Sequence, residues 1–592
     1  MAKGKGKRPQ VKAPGSKGAK PLSPVTSPPP ASIPLVAQWS SSYSYALLAV
    51  LTIACLVPFS GRAFHVDDTL FVMSARQISQ HPLDPYGFSL IWNVSLERMS
   101  DITKNPPLAC YYLAAVARIA GWSERALHLG FLVPALALVL GTYRLATHLT
   151  RFPLLAALAT LLTPGILVSA CSVMCDTMMC TLWVWAVILW IEGLQPSKAW
   201  YLAGSGILIA ASALTKYFGA ALVPLLAVYS LMQLRRVGDW MWYLLIPIAA
   251  LAGYEFWTHA LYGQGLLSDA AVFAGKQREF GQTPLLSVTL VGLSFTGGCT
   301  LSVLAFCPLQ WPRKIAGAVA VVSALASMAL IFGWVDLGRR VGGAEALNAL
   351  RSEWAMVGSQ LALFIAAGLF TLALAITDYW NRRSPESVLL GLWVLGTFVF
   401  ASILNWTVNA RSVLPLIPAA GILIARRLET NHEAWTRSLL LQVAGALIVS
   451  GGLSLWLAGA EAHLANSARE AAHGIQAQAS QQGGTLWYEG HWGFQYYMDQ
   501  LGVRPVDAFD FQMRPGDLVA VPENNSEVAG FPKNLSLQVE QRVLTLPNPY
   551  LATTINWHRG AGFYSSYWGP LPFIFGPVPP ERYFLVRMGP AQ

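Results

Sequence analysis

The segment Tyr43–Phe59 reads YSYALLAVLTIACLVPF, and His65-Val-Asp-Asp-Thr-Leu-Phe71 follows it after a gap of five residues. The first segment carries no charged side chain and predicts a membrane-spanning signal-anchor helix that is not cleaved. Two adjacent carboxylates just beyond the end of a span are costly unless they lie in water or take part in chemistry. We therefore take Asp67 and Asp68 as the centre of a candidate functional site.

The composition around this segment indicates an integral membrane protein. Of the 592 residues, 54% are hydrophobic and only 12% are charged, which is about half the charged fraction of a soluble protein. Thirteen apolar windows approach the length that crosses a hydrocarbon core. In chain order, the predicted spans are Tyr43–Phe59, Ser123–Tyr143, Pro153–Ala170, Thr177–Ile191, Trp200–Leu214, Phe218–Leu234, Trp240–Tyr262, Leu286–Leu309, Ile315–Trp334, Met356–Thr377, Val388–Leu404, Ser412–Ala425 and Ser438–Leu457.

The charged residues predict the orientation of these spans. The net charge of +10 is concentrated in residues 1–40, a tail rich in Lys, Pro, Ser and Gly that we expect to be disordered. Such a tail holds the start of the first span in the cytoplasm, so a nucleic-acid partner is not expected. With this start every predicted inside loop is basic, through Arg144, Arg151, Lys198, Arg235, Arg236, Arg313, Lys314, Arg382, Arg383, Arg426, Arg427 and Arg437.

The chain changes character after the last predicted span. We expect a transmembrane domain over residues 41–459, with residues 61–107 as its functional first outer loop, and a separate domain over residues 460–592. An odd number of spans places this last domain outside the cytoplasm. Its alternating patterns predict a small α/β domain with strands at Thr485–Tyr488, Asp517–Val521, Arg542–Leu546 and Arg582–Met588, and a short helix at Trp492–Leu501.

Carboxylates and cations from distant positions meet at the predicted outer face. They are Asp67, Asp68, Lys104, Asp176, Lys216 and Arg411. This set suits the transfer of a sugar from a polyprenyl phosphate, whose head group lies at the membrane interface. A carboxylate can take the proton of an acceptor hydroxyl, and Lys or Arg can stabilise the phosphate that leaves.

The order of the short motifs resembles that of the GT-C membrane glycosyltransferases, in particular the bacterial relatives of protein O-mannosyltransferases and of aminoarabinose transferase. That pattern has an acidic pair followed by Tyr, a Pro-Pro-Leu motif, an Asp after the third span, a Leu-Thr-Lys segment and a late Arg-x-x-x-Pro-x-x-Pro segment. The corresponding residues are Asp67-Asp68 with Phe71, Pro106-Pro107-Leu108, Asp176, Leu214-Thr-Lys216, and Arg411-Ser-Val-Leu-Pro415-Leu-Ile-Pro418. Two positions depart from the pattern: Asp68 replaces the commoner Glu, and Phe71 replaces Tyr.

The resemblance implies a role for each of these residues. Asp67 would be the catalytic base with Asp68 beside it, and Asp176 a second carboxylate near the acceptor. The donor phosphate would be held by Lys104, Lys216 and Arg411. Family members mostly use no metal for the reaction, so neither a cofactor nor a metal site is expected.

Five further residues are candidates for contacts to the sugar or the acceptor. Four aromatic side chains could stack on a sugar, or belong to an aromatic belt at the membrane interface: Tyr86, Trp92, Tyr111 and Tyr112. His65 could contact the substrate or be a hydrogen-bonded structural residue. Structural roles also stay open for the charged residues, since Asp176 could cap a helix and Lys216 could extend its amine from a helix end to the interface.

These observations predict a membrane glycosyltransferase, all-α in its membrane domain, in the inner membrane of a bacterium, with membrane lipids around it. Its partners would be a polyprenyl-phosphate sugar and a lipid, glycan or protein acceptor. The main alternative is a transporter or flippase of lipid-linked sugars, for which paired repeats and mid-membrane charges would be expected. A membrane anchor for a partner-binding outer domain is a third hypothesis, for which thirteen spans are more than an anchor needs.

Overall fold

The computed structural model describes residues 41–526 and 535–590, apart from 197, 282, 340, 343–349 and 433–434, together with residues 1, 2, 4 and 528. Nearly all of the predicted basic tail, residues 1–40, lies outside the described residues. Within them, nine helices are long and apolar enough to cross a membrane, and the number rises to eleven if each of two bent helix pairs is one span. The chain is therefore a multi-pass membrane protein, and the predicted count of thirteen is not confirmed.

Helices make up most of the described chain. They are α1 Ser41–Leu56, α2 Asp68–Gln80, α3 Met99–Ile102, α4 Leu108–Ala120, α5 Glu124–Leu149, α6 Pro153–Leu161, α7 Pro164–Ala170, α8 Cys175–Gly193, α9 Ala199–Thr215, α10 Leu222–Leu234, α11 Trp240–Tyr243, α12 Leu245–Tyr262, α13 Leu266–Gly281, α14 Leu285–Cys299, α15 Ser302–Gln310, α16 Arg313–Ile331, α17 Trp354–Arg382, α18 Pro385–Val399, α19 Ala410–Val413, α20 Ile417–Asn431, α21 Arg437–Ala479 and α22 Trp492–Gln500.

Four predicted spans are broken or short, and these account for the difference in count. The pair α6 and α7 bends by 62°, and the pair α14 and α15 bends by 88°. The predicted span Trp200–Leu214 is a helix of only 17 residues, α9. The predicted span Ser412–Ala425 divides into α19, a 3-10 turn and α20, because Pro415 and Pro418 have no amide hydrogen to continue an α-helix.

Small residues allow the closest helix contacts in the membrane domain. A Cβ atom on Gly297 of α14 would lie 1.7 Å from the carbonyl oxygen of Phe364, and one on Gly368 of α17 would lie 2.2 Å from that of Leu293. Only glycine permits this approach, which is a common way of packing helices where lipid supplies no hydrophobic drive. The contact holds α14 against α17 backbone to backbone.

Helix α5 runs from the C-terminal region to arginines that the sequence predicts on the inside. At its start, Glu124 accepts hydrogen bonds from Tyr497 and Arg469 of the C-terminal region. At its end, the carbonyl of Leu149 accepts a hydrogen bond of 2.9 Å from Arg426, which also pairs with Asp378. A helix of 26 residues is about 39 Å long, so the predicted inside arginines lie a membrane's width from the C-terminal region.

A mixed sheet forms the C-terminal region and agrees with the strand pattern of the sequence. Its strands are β3 Leu486–Tyr488, β4 Arg504–Pro505, β5 Leu518–Pro522, β6 Leu535–Leu546 and β11 Glu581–Pro590, in the order β4-β3-β5-β11-β6. Strand β3 is parallel to β4 and β5, whereas β11 is antiparallel to β5 and β6. The predicted small α/β region is thus confirmed. Its predicted first residue, 460, lies inside α21, which runs unbroken for 43 residues.

The remaining strands are short and antiparallel. They are β1 Ser89–Trp92 with β2 Ser95–Arg98 in the first outer loop, and β7 Ala552–Thr553 with β10 Ile574–Phe575, and β8 Ile555–Asn556 with β9 Ala561–Gly562, in the C-terminal region. The hairpin β1–β2 contacts the C-terminal region, because the amide of Gln495 donates a hydrogen bond of 2.9 Å to the carbonyl of Ile91.

A buried ion network fixes the start of the first outer loop. Arg62, whose side chain is fully buried, lies 3.0 Å from Asp68 and 3.4 Å from Glu461 of α21. Asp68 also accepts hydrogen bonds from the backbone amides of His65 and Val173, at 3.1 and 2.9 Å. The network therefore joins the loop, the segment before α8 and the long helix α21.

We expect the substitution Asp68→Asn to destabilise the protein. It removes a buried charge opposite Arg62, and breaking one partner of a buried pair costs about 3 kcal/mol or more. Thermal unfolding of the purified full-length protein in detergent should show a midpoint several degrees lower, whereas the variant Asp510→Asn, at an exposed carboxylate, should unfold like the parent. Equal midpoints for the two variants would contradict this account of the network.

Candidate active site

A large cavity lies between the membrane helices and the C-terminal region. Its volume is about 940 Å³, at the upper end of the range of about 300–1,000 Å³ that ligand pockets occupy. We call it the central cavity. Five parts of the chain supply most of its lining: the first outer loop with Asp67 and Lys104, residues 216–218, helix α13, the segment from Phe400 to Ser412, and the C-terminal region between Trp492 and Trp568. Cys110 and Cys175 complete it.

Asp67 and Arg411 form the first ion pair of this cavity. The guanidinium Nη1 of Arg411 lies 2.7 Å from Oδ2 of Asp67, and the two side chains are 16% and 23% exposed. Asp67 precedes α2, and Arg411 lies on α19, so 344 residues of chain separate the partners. The same guanidinium lies 3.1 Å from the sulfur of Met174 and 5.7 Å from the ring centre of Tyr564.

The backbone next to Asp67 is strained. Val66 has a φ of +49° and is buried, although a β-branched side chain strongly disfavours this region. A residue held in such a conformation costs about 1–3 kcal/mol and persists only where its surroundings determine it. Here two sets of contacts hold the conformation. Asp68 accepts hydrogen bonds from backbone amides in the buried network, and Asp67 pairs with Arg411 in the cavity.

Lys216 and Asp176 form the second ion pair. The amine of Lys216 lies 2.6 Å from Oδ1 of Asp176. Lys216 directly follows α9 and lines the cavity, whereas Asp176, in the first turn of α8, is only 2% exposed and lies outside the lining. The carboxylate therefore supports the lysine from behind rather than facing the cavity itself.

Lys104 forms the third pair, with helix α13. Its amine lies 2.6 Å from Oδ2 of Asp269 and donates a hydrogen bond of 2.7 Å to the carbonyl of Asp101. It also lies 5.0 Å from the ring centre of Phe273. The three predicted phosphate-binding cations, Lys104, Lys216 and Arg411, thus all line the central cavity, and each has a carboxylate beside it.

Four other predicted site residues lie outside the cavity lining. Asp68 is 0% exposed and belongs to the network around Arg62. Tyr111 donates a hydrogen bond of 2.5 Å to the carbonyl of Pro82, and Tyr112 donates one of 2.7 Å to that of Gly130. The structure therefore does not bring these three side chains to the same surface as Asp67.

His65, the fourth of them, lies between aromatic rings next to the network. Its ring centre is 6.3 Å from that of Trp492 and 6.1 Å from that of Tyr564. Burial lowers the pKa of His65 to about 4, although Glu461 nearby favours the charged form. The imidazole is therefore neutral at pH 7 and contributes packing beneath the cavity.

Of the aromatic residues proposed to stack on a sugar, Tyr86 and Trp92 line the cavity. The sequence analysis did not identify the other aromatic residues of the lining. Trp406, Tyr564, Tyr567 and Trp568 line the cavity, and three of them belong to the C-terminal region. The only sequence signal is the density of aromatic residues between 557 and 575. Glu461 is also new. It accepts a hydrogen bond of 2.5 Å from Tyr564. Its helix, α21, is recognised by hydropathy only as a membrane span, and this pattern does not point to a single carboxylate.

No group of three or more His, Cys, Asp or Glu side chains is arranged to hold a metal ion within the described part of the chain. The polar chemistry of the cavity lies instead in its ion pairs. A bound anion could replace a carboxylate beside a cation, and a released carboxylate could accept a proton.

Comparison with known proteins agrees with the predicted resemblance. Residues 104–257 match the model of the dolichyl-phosphate-mannose-protein mannosyltransferase family. This segment contains Lys104, Asp176 and Lys216. No curated protein matches the chain.

The chain is also similar to solved structures. ArnT from Cupriavidus metallidurans, bound to undecaprenyl phosphate, is similar with a TM-score of 0.50 and 13% identity, over 82% of this chain and 94% of that one. The oligosaccharyltransferase of Archaeoglobus fulgidus, tethered with an acceptor peptide, gives a TM-score of 0.46 and 13% identity, over 80% of this chain and 65% of that one. At 13% identity, the similarity to ArnT concerns the fold.

The resemblance predicted from the motifs is therefore confirmed: the chain has the fold of the GT-C membrane glycosyltransferases, as found in ArnT, and carries over residues 104–257 the sequence pattern of the protein mannosyltransferase family.

Proposed function

We propose that this protein transfers a sugar from a polyprenyl phosphate to an acceptor hydroxyl in the central cavity. The observation that carries the proposal is the pair of Asp67 and Arg411, 2.7 Å apart, in a cavity that Lys216 also lines. A base and two phosphate-binding cations are the groups this reaction requires. The undecaprenyl phosphate bound to ArnT, which shares the fold, supports a donor of this class.

In the proposed step, the acceptor oxygen attacks the anomeric carbon of the sugar. A bond forms between these two atoms while the bond from the anomeric carbon to the phosphate oxygen breaks, and its electron pair stays on the phosphate. The acceptor's proton passes to the carboxylate of Asp67. A single displacement of this kind inverts the anomeric configuration.

Arg411 and Lys216 would hold the phosphate before and after this step. The phosphodiester of the donor carries one negative charge, as Asp67 does, and its two free oxygens accept from a guanidinium in the same fork geometry. Arg411 can therefore move from Asp67 to the donor, which leaves that carboxylate free to act as a base. The phosphate gains a second charge as its bond to the sugar breaks, and both cations stabilise this charge. Asp176 acts through Lys216, as a positioning residue, and Lys104 is a third cation for the same phosphate.

The charge distribution supports an orientation with the cavity at the outer face of a bacterial inner membrane. The arginines at the far end of α5, such as Arg426 and Arg382, lie on the predicted cytoplasmic side, as positive residues do in membrane proteins. The cavity and the C-terminal region lie beyond the other end. In this orientation the N-terminus is cytoplasmic, and the lipid tail of the donor stays in the bilayer while its head group enters the cavity.

We expect Asp67→Asn to abolish transfer without weakening donor binding. The amide cannot take the acceptor's proton, so turnover should fall by about 10²–10⁴-fold, and Arg411 loses a competitor for the phosphate, so donor affinity should stay equal or rise. The measurements are label transfer and donor binding in nanodiscs, with polyprenyl-phosphate mannose, glucose, galactose and aminoarabinose as probes.

The neighbouring variant Asp68→Asn serves as the matched control, because its defect should appear in the thermal midpoint. Transfer that persists in Asp67→Asn at the parent rate would refute the assignment of the base. If the parent protein consumes none of these donors but moves them across vesicle membranes, a flippase would replace the enzyme proposal.

We expect Arg411→Ala and Lys216→Ala each to weaken donor binding about tenfold or more, because each removes a charge-assisted contact to the phosphate. Arg582→Ala is the control, since this arginine pairs with Glu523 on the C-terminal region, away from the cavity lining. Titration of the labelled donor gives the dissociation constants. Unchanged affinity in both cavity variants would remove the phosphate site from the proposal.

The proposed orientation predicts that reporters inserted after Ser100 and after Arg236 lie on opposite sides of the membrane. Fusions to alkaline phosphatase should be active after Ser100 and inactive after Arg236, and fluorescent-protein fusions should show the reverse. Activity of the same reporter at both positions would contradict the proposed arrangement of spans.

A further inference from the structure

Two indole rings of the C-terminal region face the central cavity side by side. Trp492, at the start of α22, and Trp568 have ring centres 5.6 Å apart with an angle of 46° between their planes. Both line the cavity and are half-buried. We call them the tryptophan pair. Trp92 of the first outer loop lines the same cavity and stacks its ring on His491 at 4.6 Å.

The backbone that presents Trp492 is held in an unfavourable conformation. Trp492 has a φ of +63°, a region that bulky side chains avoid. Asn525 stabilises the residue before it, because its side chain accepts a hydrogen bond of 2.8 Å from the amide of His491 and donates one of 3.2 Å to its carbonyl. Strain that surrounding contacts maintain in this way is concentrated at ligand sites and switches.

The tryptophan pair is tied directly to the loop that carries Asp67. Gly493 packs so closely on this loop that a Cβ atom there would lie 2.4 Å from the carbonyl oxygen of Phe64. The ring of Trp492 also contacts that of His65 at 6.3 Å. The backbone contact at Gly493 thus holds Trp492 against the loop that carries Asp67, and Trp568 packs on Trp492 in the same cavity.

The surroundings of the tryptophan pair suit a sugar ring. A pyranose offers apolar C–H groups on its faces and hydroxyl groups around its edge, so flat aromatic surfaces with a few amides and hydroxyls fit it. Asn93 and Ser526 supply such groups in the lining. Among the described lining residues, the only Lys or Arg side chains are Lys104, Lys216 and Arg411, which the proposed function uses for the donor phosphate.

We propose that the acceptor is a carbohydrate and that the tryptophan pair binds its terminal sugar ring, so that one hydroxyl of this ring faces Asp67. This inference rests on the proposed glycosyltransferase function and names the acceptor class of the same site. The cavity volume of about 940 Å³ can hold the donor head group together with an acceptor ring, because ligand pockets of this class bury whole drug-sized molecules.

The first experiment identifies the acceptor class. Membranes and cell envelopes from a strain without the gene serve as the acceptor, and purified full-length protein transfers label from the polyprenyl-phosphate sugars named above. Before the transfer reaction, one portion of the acceptor is treated with a broad protease and another with periodate, which cleaves the vicinal diols of glycans, and both reagents are then removed. A carbohydrate acceptor predicts that the protease-treated portion still takes up label and that the periodate-treated portion does not.

The second experiment tests the tryptophan pair. Trp492→Ala and Trp568→Ala should each raise the acceptor concentration for half-maximal transfer about tenfold or more, since truncated Trp anchors are among the costliest losses at binding sites. Donor binding should stay as in the parent. Trp492→Phe should recover part of the loss because it keeps an aromatic face, and Phe509→Ala, an 84% exposed aromatic of the same region, should behave like the parent.

The outcomes separate this inference from the proposed function. Loss of label uptake after protease treatment, or tryptophan variants that resemble Phe509→Ala, would overturn the carbohydrate acceptor and leave the glycosyltransferase proposal standing. A parent protein that consumes none of the donors would overturn both. Thermal midpoints of all variants show whether they fold. If Trp492→Ala does not fold, Trp492→Phe and Trp568→Ala still decide the test.

Discussion

A fully buried guanidinium is the constraint on which the arrangement of this protein depends. Burying Arg62 alone would cost several kcal/mol, so the fold has to bring carboxylates to it. Asp68 lies 3.0 Å away in the same loop. Glu461 lies 3.4 Å away on α21, although it is 399 positions from Arg62 in the sequence. Glu461 in turn accepts hydrogen bonds from Tyr564 and Thr554 of the C-terminal region. One cation therefore fixes the first outer loop relative to α21 and to the C-terminal region.

This constraint gives two neighbouring aspartates different roles. Asp68 is committed to Arg62 and to two backbone amides, and it has no exposed surface. Asp67 is turned the other way by the strained Val66 and faces Arg411 across the central cavity. The strain in the backbone is the means by which two identical side chains are separated, one for structure and one for the proposed proton transfer.

The cations of the cavity are also paired with carboxylates. Each of Arg411, Lys216 and Lys104 lies 2.6–2.7 Å from a carboxylate supplied by a different element, which lowers the cost of gathering positive charge in one place. When a phosphate binds, a cation would therefore exchange its carboxylate partner for the phosphate. Aromatic surfaces from the C-terminal region line the same cavity, so that the membrane helices and the C-terminal region contribute different chemistry to it.

The sequence by itself determined the membrane class, the positions of most spans, the strands of the C-terminal region and the three cations and the aspartate that line the cavity. These features depend on local hydropathy, on alternation and on short motifs, which are readable within a few residues. The tertiary structure alone decided that Asp68, Tyr111 and Tyr112 lie away from the cavity, that Asp176 stands behind Lys216, and that Trp492 and Trp568 line the same cavity as Asp67. These facts depend on side-chain direction and on contacts between segments hundreds of residues apart, such as Arg62 with Glu461, for which a linear pattern carries no signal. The breaks in the predicted spans were also decided by the tertiary structure. A proline or a bend leaves the mean hydropathy of a segment unchanged, but the segment can no longer cross the membrane as one helix.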